Sequence, residues 1–136
     1  MERLEERHQI FVQVLSTLDE LIQQMQEIDS SHKYYKTLRD SMIQRFEYSI
    51  DAFWKILKSY LEVKHGLIPP ASPKGILKMA LDLRIFSNND YANLVRMIED
   101  RNLTSHAYNS DLAQRISEAI PSFYAVLKRV SDNLEV

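Results

Sequence analysis

An arginine and a histidine stand five positions apart at Arg101 and His106, and a tyrosine follows at Tyr108. An arginine holds a phosphate through its planar fork of N–H donors. A histidine moves a proton near neutral pH. Together they supply what phosphoryl chemistry needs without a metal ion. Spacing alone carries little, because average usage places such a pair in roughly one chain in seven. Asn102 directly after the arginine, and Tyr108 two after the histidine, make the full pattern much rarer. Five residues on an ideal helix turn through about 140°. The pair therefore converges only if the helix is irregular or a second chain contributes. The same residues also fit a plainer arrangement, with the arginine at a helix C-terminus and the histidine capping a turn.

Little else competes for a chemical role. The other histidines, His8, His32 and His65, lack metal-ligand spacing on a helix, so no metal site is expected. Acid pairs such as Glu5-Glu6, Asp19-Glu20 and Glu99-Asp100 read as solvated helix faces. With no cysteine there is no disulfide, thiolate nucleophile or cysteine-bound metal, which is compatible with a reducing compartment. Two glycines, Gly66 and Gly75, cannot write a P-loop, a GxGxxG turn or a GxSxG elbow. No organic cofactor is expected. Arg45 interrupts an apolar stripe and reads as a core-edge ion pair with an acid on a neighbouring helix. Trp54 reads as core packing. Lys55, Lys58, Lys64, Lys74 and Lys78 read as a solvated face, with a basic rim as the alternative. Net charge is −2, from 17 basic and 19 acidic residues, so any nucleic-acid contact must use a local patch. The mixed charge of residues 1–7 does not suit a signal peptide, and no apolar run approaches the roughly 20 residues that span a bilayer. A cytoplasmic protein with no membrane partner is the expectation.

The elements that must position this segment are helices. The length of 136 residues fits one domain. Leu4, His8, Phe11, Leu15, Leu18, Ile22 and Met25 recur at three and four, which predicts a first helix over about Arg3–Ile28. Leu38, Met42, Phe46, Ile50, Phe53, Leu57 and Tyr60 or Leu61 predict a second over about Lys33–Lys64, capped by Gly66. Ser72-Pro73 starts a short third helix that looks buried on most sides. Ser87-Asn88-Asn89-Asp90 caps a fourth, whose inner face is Tyr91, Leu94, Val95 and Ile98. Arg101–Asp111 is rich in weak helix formers and predicts a frayed end, turn or irregular connection. A last helix from Ser110 or Asp111 carries Leu112, Ile116, Ile120, Phe123, Leu127 and Val130, with a kink expected at Pro121. The fold class is all-α: an antiparallel up-and-down bundle of four long helices plus one short one.

At this point the segment Arg101-Asn102-Leu103-Thr104-Ser105-His106-Ala107-Tyr108 resembles the RX4HXY motif of HEPN domains, the higher eukaryotes and prokaryotes nucleotide-binding helical domains. Nearly the whole chain is similar to the branch called nucleotidyltransferase substrate-binding-like proteins, which includes HepT-type toxins. The stretches that carry this are Arg45-Phe46-Glu47-Tyr48, Phe53-Trp54-Lys55, Lys58-Ser59-Tyr60-Leu61-Glu62, Ser72-Pro73-Lys74 and Asp100-Arg101-Asn102. Tyr91 replaces a tryptophan often found in the fourth helix, and Ala107 a threonine after the motif histidine. Neither change removes a charged or proton-transferring group.

The resemblance implies a homodimer and a separately encoded minimal nucleotidyltransferase as partner. This chain is not that enzyme, because it has no Gly-Ser pair. Two functions follow from the resemblance. One is a metal-independent endoribonuclease, the toxin of a toxin–antitoxin pair. There Arg101 and His106 would be catalytic, and Tyr108 would be the tyrosine that the transferase modifies with AMP. The other is a non-catalytic subunit that binds nucleotide or substrate through Arg101, Asn102 and Tyr108. RNA or nucleotide is the implied ligand.

Overall fold

The computed structural model describes residues 2–136, which contain five α-helices and no strand. They are α1 (Glu2–Gln26), α2 (Tyr35–His65), α3 (Pro73–Asp82), α4 (Asn88–Leu103) and α5 (Ser110–Asp132), with a 3-10 turn at Thr104–His106 between the last two. No helix is long and apolar enough to cross a membrane among the described residues.

Local chemistry sets the helix ends. Gly66 takes a left-handed φ of +63° and closes α2, its N–H donating to the Leu61 carbonyl. Glycine adopts that conformation without the steric cost a Cβ imposes. The Ser72 hydroxyl accepts from the Gly75 N–H at 3.1 Å, with Pro73 in the first helical turn. Ser87 accepts from the Asp90 N–H at 3.0 Å, and the Asn109 side chain from the Leu112 N–H at 3.1 Å. Each cap satisfies one of the donors that a helix start leaves without a partner.

Side-chain pairs between helices give the chain direction. Phe11 packs on Phe53 and Arg7 reaches Ser59, so α1 and α2 are antiparallel. Asp90 pairs with Arg129 and Asp100 with Arg115, so α4 and α5 are antiparallel too. Tyr35 meets Gln114 and Phe46 stacks on Phe123, which sets α2 parallel to α5. The result is the expected up-down-up-down bundle. Phe11, Phe46, Phe53, Leu18, Leu57 and Ile116 are among the side chains that fill its core.

Several expectations need correction. The third helix fully buries Ile76, Leu77 and Ala80, packs Met79 and Leu81 partly against the core, and leaves Lys74, Lys78 and Asp82 exposed. In α2 the buried face begins at Arg39 and Met42, while Leu38 is half-buried. Arg39 sits inside because its guanidinium finds Asp40 at 3.2 Å and the Ser110 hydroxyl at 3.5 Å. Arg45 lies over the Tyr48 ring of its own helix, not beside an acid of another helix. Trp54 is half-buried and packs on the core. Pro121 lies inside helix α5, as expected, and is exposed. The fourth helix also continues further than expected, to Leu103, so Arg101 lies in its last turn.

Candidate functional site

The Arg101–Tyr108 segment forms the junction between α4 and α5 and lies over the first half of α2. Because α4 stays helical through Leu103, the Arg101 side chain is delivered onto α2. Two carboxylates meet it there. Asp51 takes it in a fork, with Nε–Oδ1 at 3.1 Å and Nη2–Oδ2 at 3.0 Å. Glu47 accepts from Nη1 at 3.1 Å, and the Thr104 hydroxyl from the same nitrogen at 3.3 Å. Glu47 and Asp51 are four apart on α2, one turn, so both face the same side. The hydrogen bonds that Arg101 donates to Asp51 raise its pKa above its already high value; burial opposes this, and the two carboxylate charges add to it.

This arrangement has two consequences. The guanidinium is held in place, with four of its five N–H groups engaged and one on Nη2 left to donate elsewhere. Its charge is also more than matched, since two carboxylates face one cation. Arg101 therefore gives the single chain no net local positive charge. An anion that binds here must share the arginine with Asp51 and Glu47.

Removing one of these anchors gives a measurable effect. Asp51→Asn keeps the shape but loses the charge-assisted fork. The Arg101 side chain is 30% exposed and Asp51 40%, so solvent screens the pair. A loss of about 1 kcal/mol is expected in urea unfolding. An unchanged midpoint would show that the fold does not depend on the fork.

His106 and Tyr108 are placed differently. Thr104 is buried and returns its hydroxyl to the Arg101 carbonyl at 2.7 Å, which tightens the chain into the 3-10 turn. His106 then projects to solvent. Its ring meets Tyr108 edge-on, with centroids 6.2 Å apart, and its side chain makes no hydrogen bond among the described residues. The turn is closed by backbone bonds, Ala107 N–H to Thr104 and Asn109 N–H to His106. A capping role for the imidazole is not what the structure shows. Tyr108 is 87% exposed. Asn102 is exposed, and its carbonyl accepts from the Ser105 hydroxyl at 3.5 Å.

Beside Tyr108 an open groove of about 560 Å³ runs along α2, lined by Thr37, Ser41, Gln44, Glu47 and Thr104 among others. Its volume lies within the range of small-molecule sites. Glu47 and Asp51 are the site residues that sequence reasoning missed. Their only signal was the four-residue spacing of two acids on a helix, which usually marks a solvated face. No cluster of His, Asp and Glu able to hold a metal occurs among the described residues.

Comparison with known proteins adds the lineage. No curated protein matches the chain significantly. A protein of known structure from Thermus thermophilus is 34% identical, with a TM-score of 0.81 over 93% of this chain and 99% of that one. HI0074 from Haemophilus influenzae, described as having the fold of a substrate binding domain of a nucleotidyltransferase, is 20% identical with a TM-score of 0.78, over 93% of this chain and 98% of its own. A chain of a toxin–antitoxin structure with AMP-PNP is 18% identical with a TM-score of 0.67, again over 93% and 98%. At those two identities the likeness is one of fold. The nucleotidyltransferase substrate binding protein like family matches residues 6–136, and this chain belongs to it.

Proposed function

We propose that residues 1–136 form a single HEPN-like domain that homodimerises, partners a separately encoded minimal nucleotidyltransferase, and acts as a metal-independent endoribonuclease. The observation that carries this reading is the exposed pair His106 and Tyr108. Neither side chain has a hydrogen bond among the described residues, and both lie on the junction that directly follows an arginine braced by two carboxylates. Bracing of this kind pre-orients a group for a reacting centre.

In the reaction the ribose 2′-oxygen would attack the adjacent phosphorus. The O2′–P bond forms, the P–O5′ bond breaks, and the products are a 2′,3′-cyclic phosphate and a 5′-hydroxyl. A proton must leave the 2′-hydroxyl and another must reach O5′. His106 is the proton-transfer residue, and the remaining N–H of Arg101 donates to a phosphoryl oxygen. Two-fold pairing of the junctions would bring a second histidine and a second arginine. Tyr108 is the acceptor for AMP from the transferase, which silences the nuclease.

A second reading has its own support in the groove beside Tyr108 and in the carboxylates that occupy Arg101. A non-catalytic subunit would hold nucleotide or substrate in that groove, against Tyr108. Unmodified protein, made without the transferase, separates the two. Cleavage of RNA in the presence of EDTA, with DNA spared, supports the nuclease. Nucleotide binding with a broad panel of RNAs left intact transfers the assignment to the binding subunit.

A further inference from the structure

A second cationic feature lies further along α2, where α1 crosses its C-terminal half. The Arg7 guanidinium is half-buried in the seam between the helices. It donates to the Ser59 hydroxyl at 2.8 Å and to the Lys55 carbonyl at 3.3 Å, both neutral acceptors. Arg3 and Lys58 line the same cleft, and among the described residues Glu62 is the only acid on its wall. None of these three cations is in an ion pair among the described residues. The contrast with Arg101 is clear: there two carboxylates face one cation, here three cations face one carboxylate. On a chain of net charge −2 this is a local positive patch.

Size and position narrow the ligand. The cleft is about 150 Å³. That is about half the lower bound for small-molecule sites, which suits a phosphate group and not a whole nucleotide. Lys58 lies seven residues beyond Asp51, about 10 Å along the helix axis and on the same face to within about 20°. A span of that length is within reach of a few nucleotides of one extended strand. We propose that the Arg3–Arg7–Lys58 cleft binds a backbone phosphate of single-stranded RNA, a few nucleotides from the phosphate held at Arg101. This rests on the endoribonuclease reading, and it gives the acidic surroundings of Arg101 a source of RNA affinity. Arg7 supplies a fixed fork, and Arg3 and Lys58 supply charge.

The test uses the full chain, unmodified, and a fluorescent single-stranded RNA of about ten nucleotides, with anisotropy read across a salt series. Arg7→Gln can keep the hydrogen bond to Ser59, and Lys58→Gln keeps the stem of a half-buried side chain, so thermal melting serves as the fold control for each. Each variant should weaken RNA binding about fivefold and lower the slope of log affinity against log salt by about 0.7. Cleavage of a dinucleotide, too short to reach the cleft, should not change. Unaltered RNA affinity and slope in the double variant would overturn the proposal. So would a double variant that loses affinity for ATP or inorganic phosphate but keeps it for RNA. Wild-type protein that cleaves RNA while both variants match it removes the cleft and leaves the nuclease. RNA bound through the cleft but never cleaved removes the nuclease and leaves the cleft.

Discussion

Tyr108→Phe protein, incubated with the partner nucleotidyltransferase and ATP, should take up no AMP. Transfer requires the phenol oxygen to attack the α-phosphorus of ATP, forming an O–P bond as pyrophosphate leaves. Phenylalanine lacks that oxygen and nothing else. The ring of Tyr108 is 87% exposed, at the rim of an open groove, so a second enzyme can reach it without unfolding the helix junction. The chain has seven tyrosines, and Tyr34 and Tyr48 are also exposed. Tyr34→Phe and Tyr48→Phe should label as the wild type does, which separates a specific acceptor from any accessible phenol. Because the Tyr108 hydroxyl has no partner among the described residues, its loss should move stability by no more than about 0.5 kcal/mol. Intact-mass spectrometry reads the outcome. An adenylyl group on the Tyr108→Phe chain at the wild-type level would refute the assignment.

What could be read from sequence was local, and what could not was tertiary. The Gly66 cap, the Ser72-Pro73 start and the start of the last helix at Ser110 are each set by residues within one turn, and all are in the structure. The stripes of α1 and α5 were legible because a buried face repeats at three and four. The register of α2 was harder. Arg39 is buried and Leu38 only half so, because Asp40 and Ser110 satisfy the guanidinium, and Ser110 lies 71 residues away. The same reason hid Glu47 and Asp51. Their role depends on which way α4 crosses α2, and that follows from the packing of the whole bundle. The polar run after Arg101 did foretell an irregular connection, and a 3-10 turn stands there. An arginine at the helix C-terminus was legible too; that two carboxylates of α2 meet it there was not.

His106→Ala should reduce RNA cleavage by about 10² or more, the scale of a lost acid–base group. The fold should not register the change beyond about 0.5 kcal/mol, since the imidazole is exposed and unbonded among the described residues. That difference makes the variant informative: activity and stability are expected to separate. Arg101 should behave otherwise. Arg101→Ala leaves Glu47 and Asp51 facing each other without their cation, so both rate and unfolding midpoint should fall. Arg101→Lys retains the charge but cannot make the fork with Asp51, and it should recover part of the stability and little of the rate. Cleavage by a 2′-hydroxyl needs one proton taken and one given. A single histidine can do both only by shuttling, whereas two junctions facing across a two-fold axis supply two histidines. Activity should therefore depend on a dimer, and dilution below the dimer's dissociation range should reduce the specific rate as light scattering reports monomer. The cleavage should survive EDTA and spare DNA, which lacks the attacking hydroxyl. If His106→Ala cleaves RNA as fast as the wild type, the catalytic role passes elsewhere. If the specific rate is the same for monomer and dimer, the two-fold site is wrong and one chain must carry both protons.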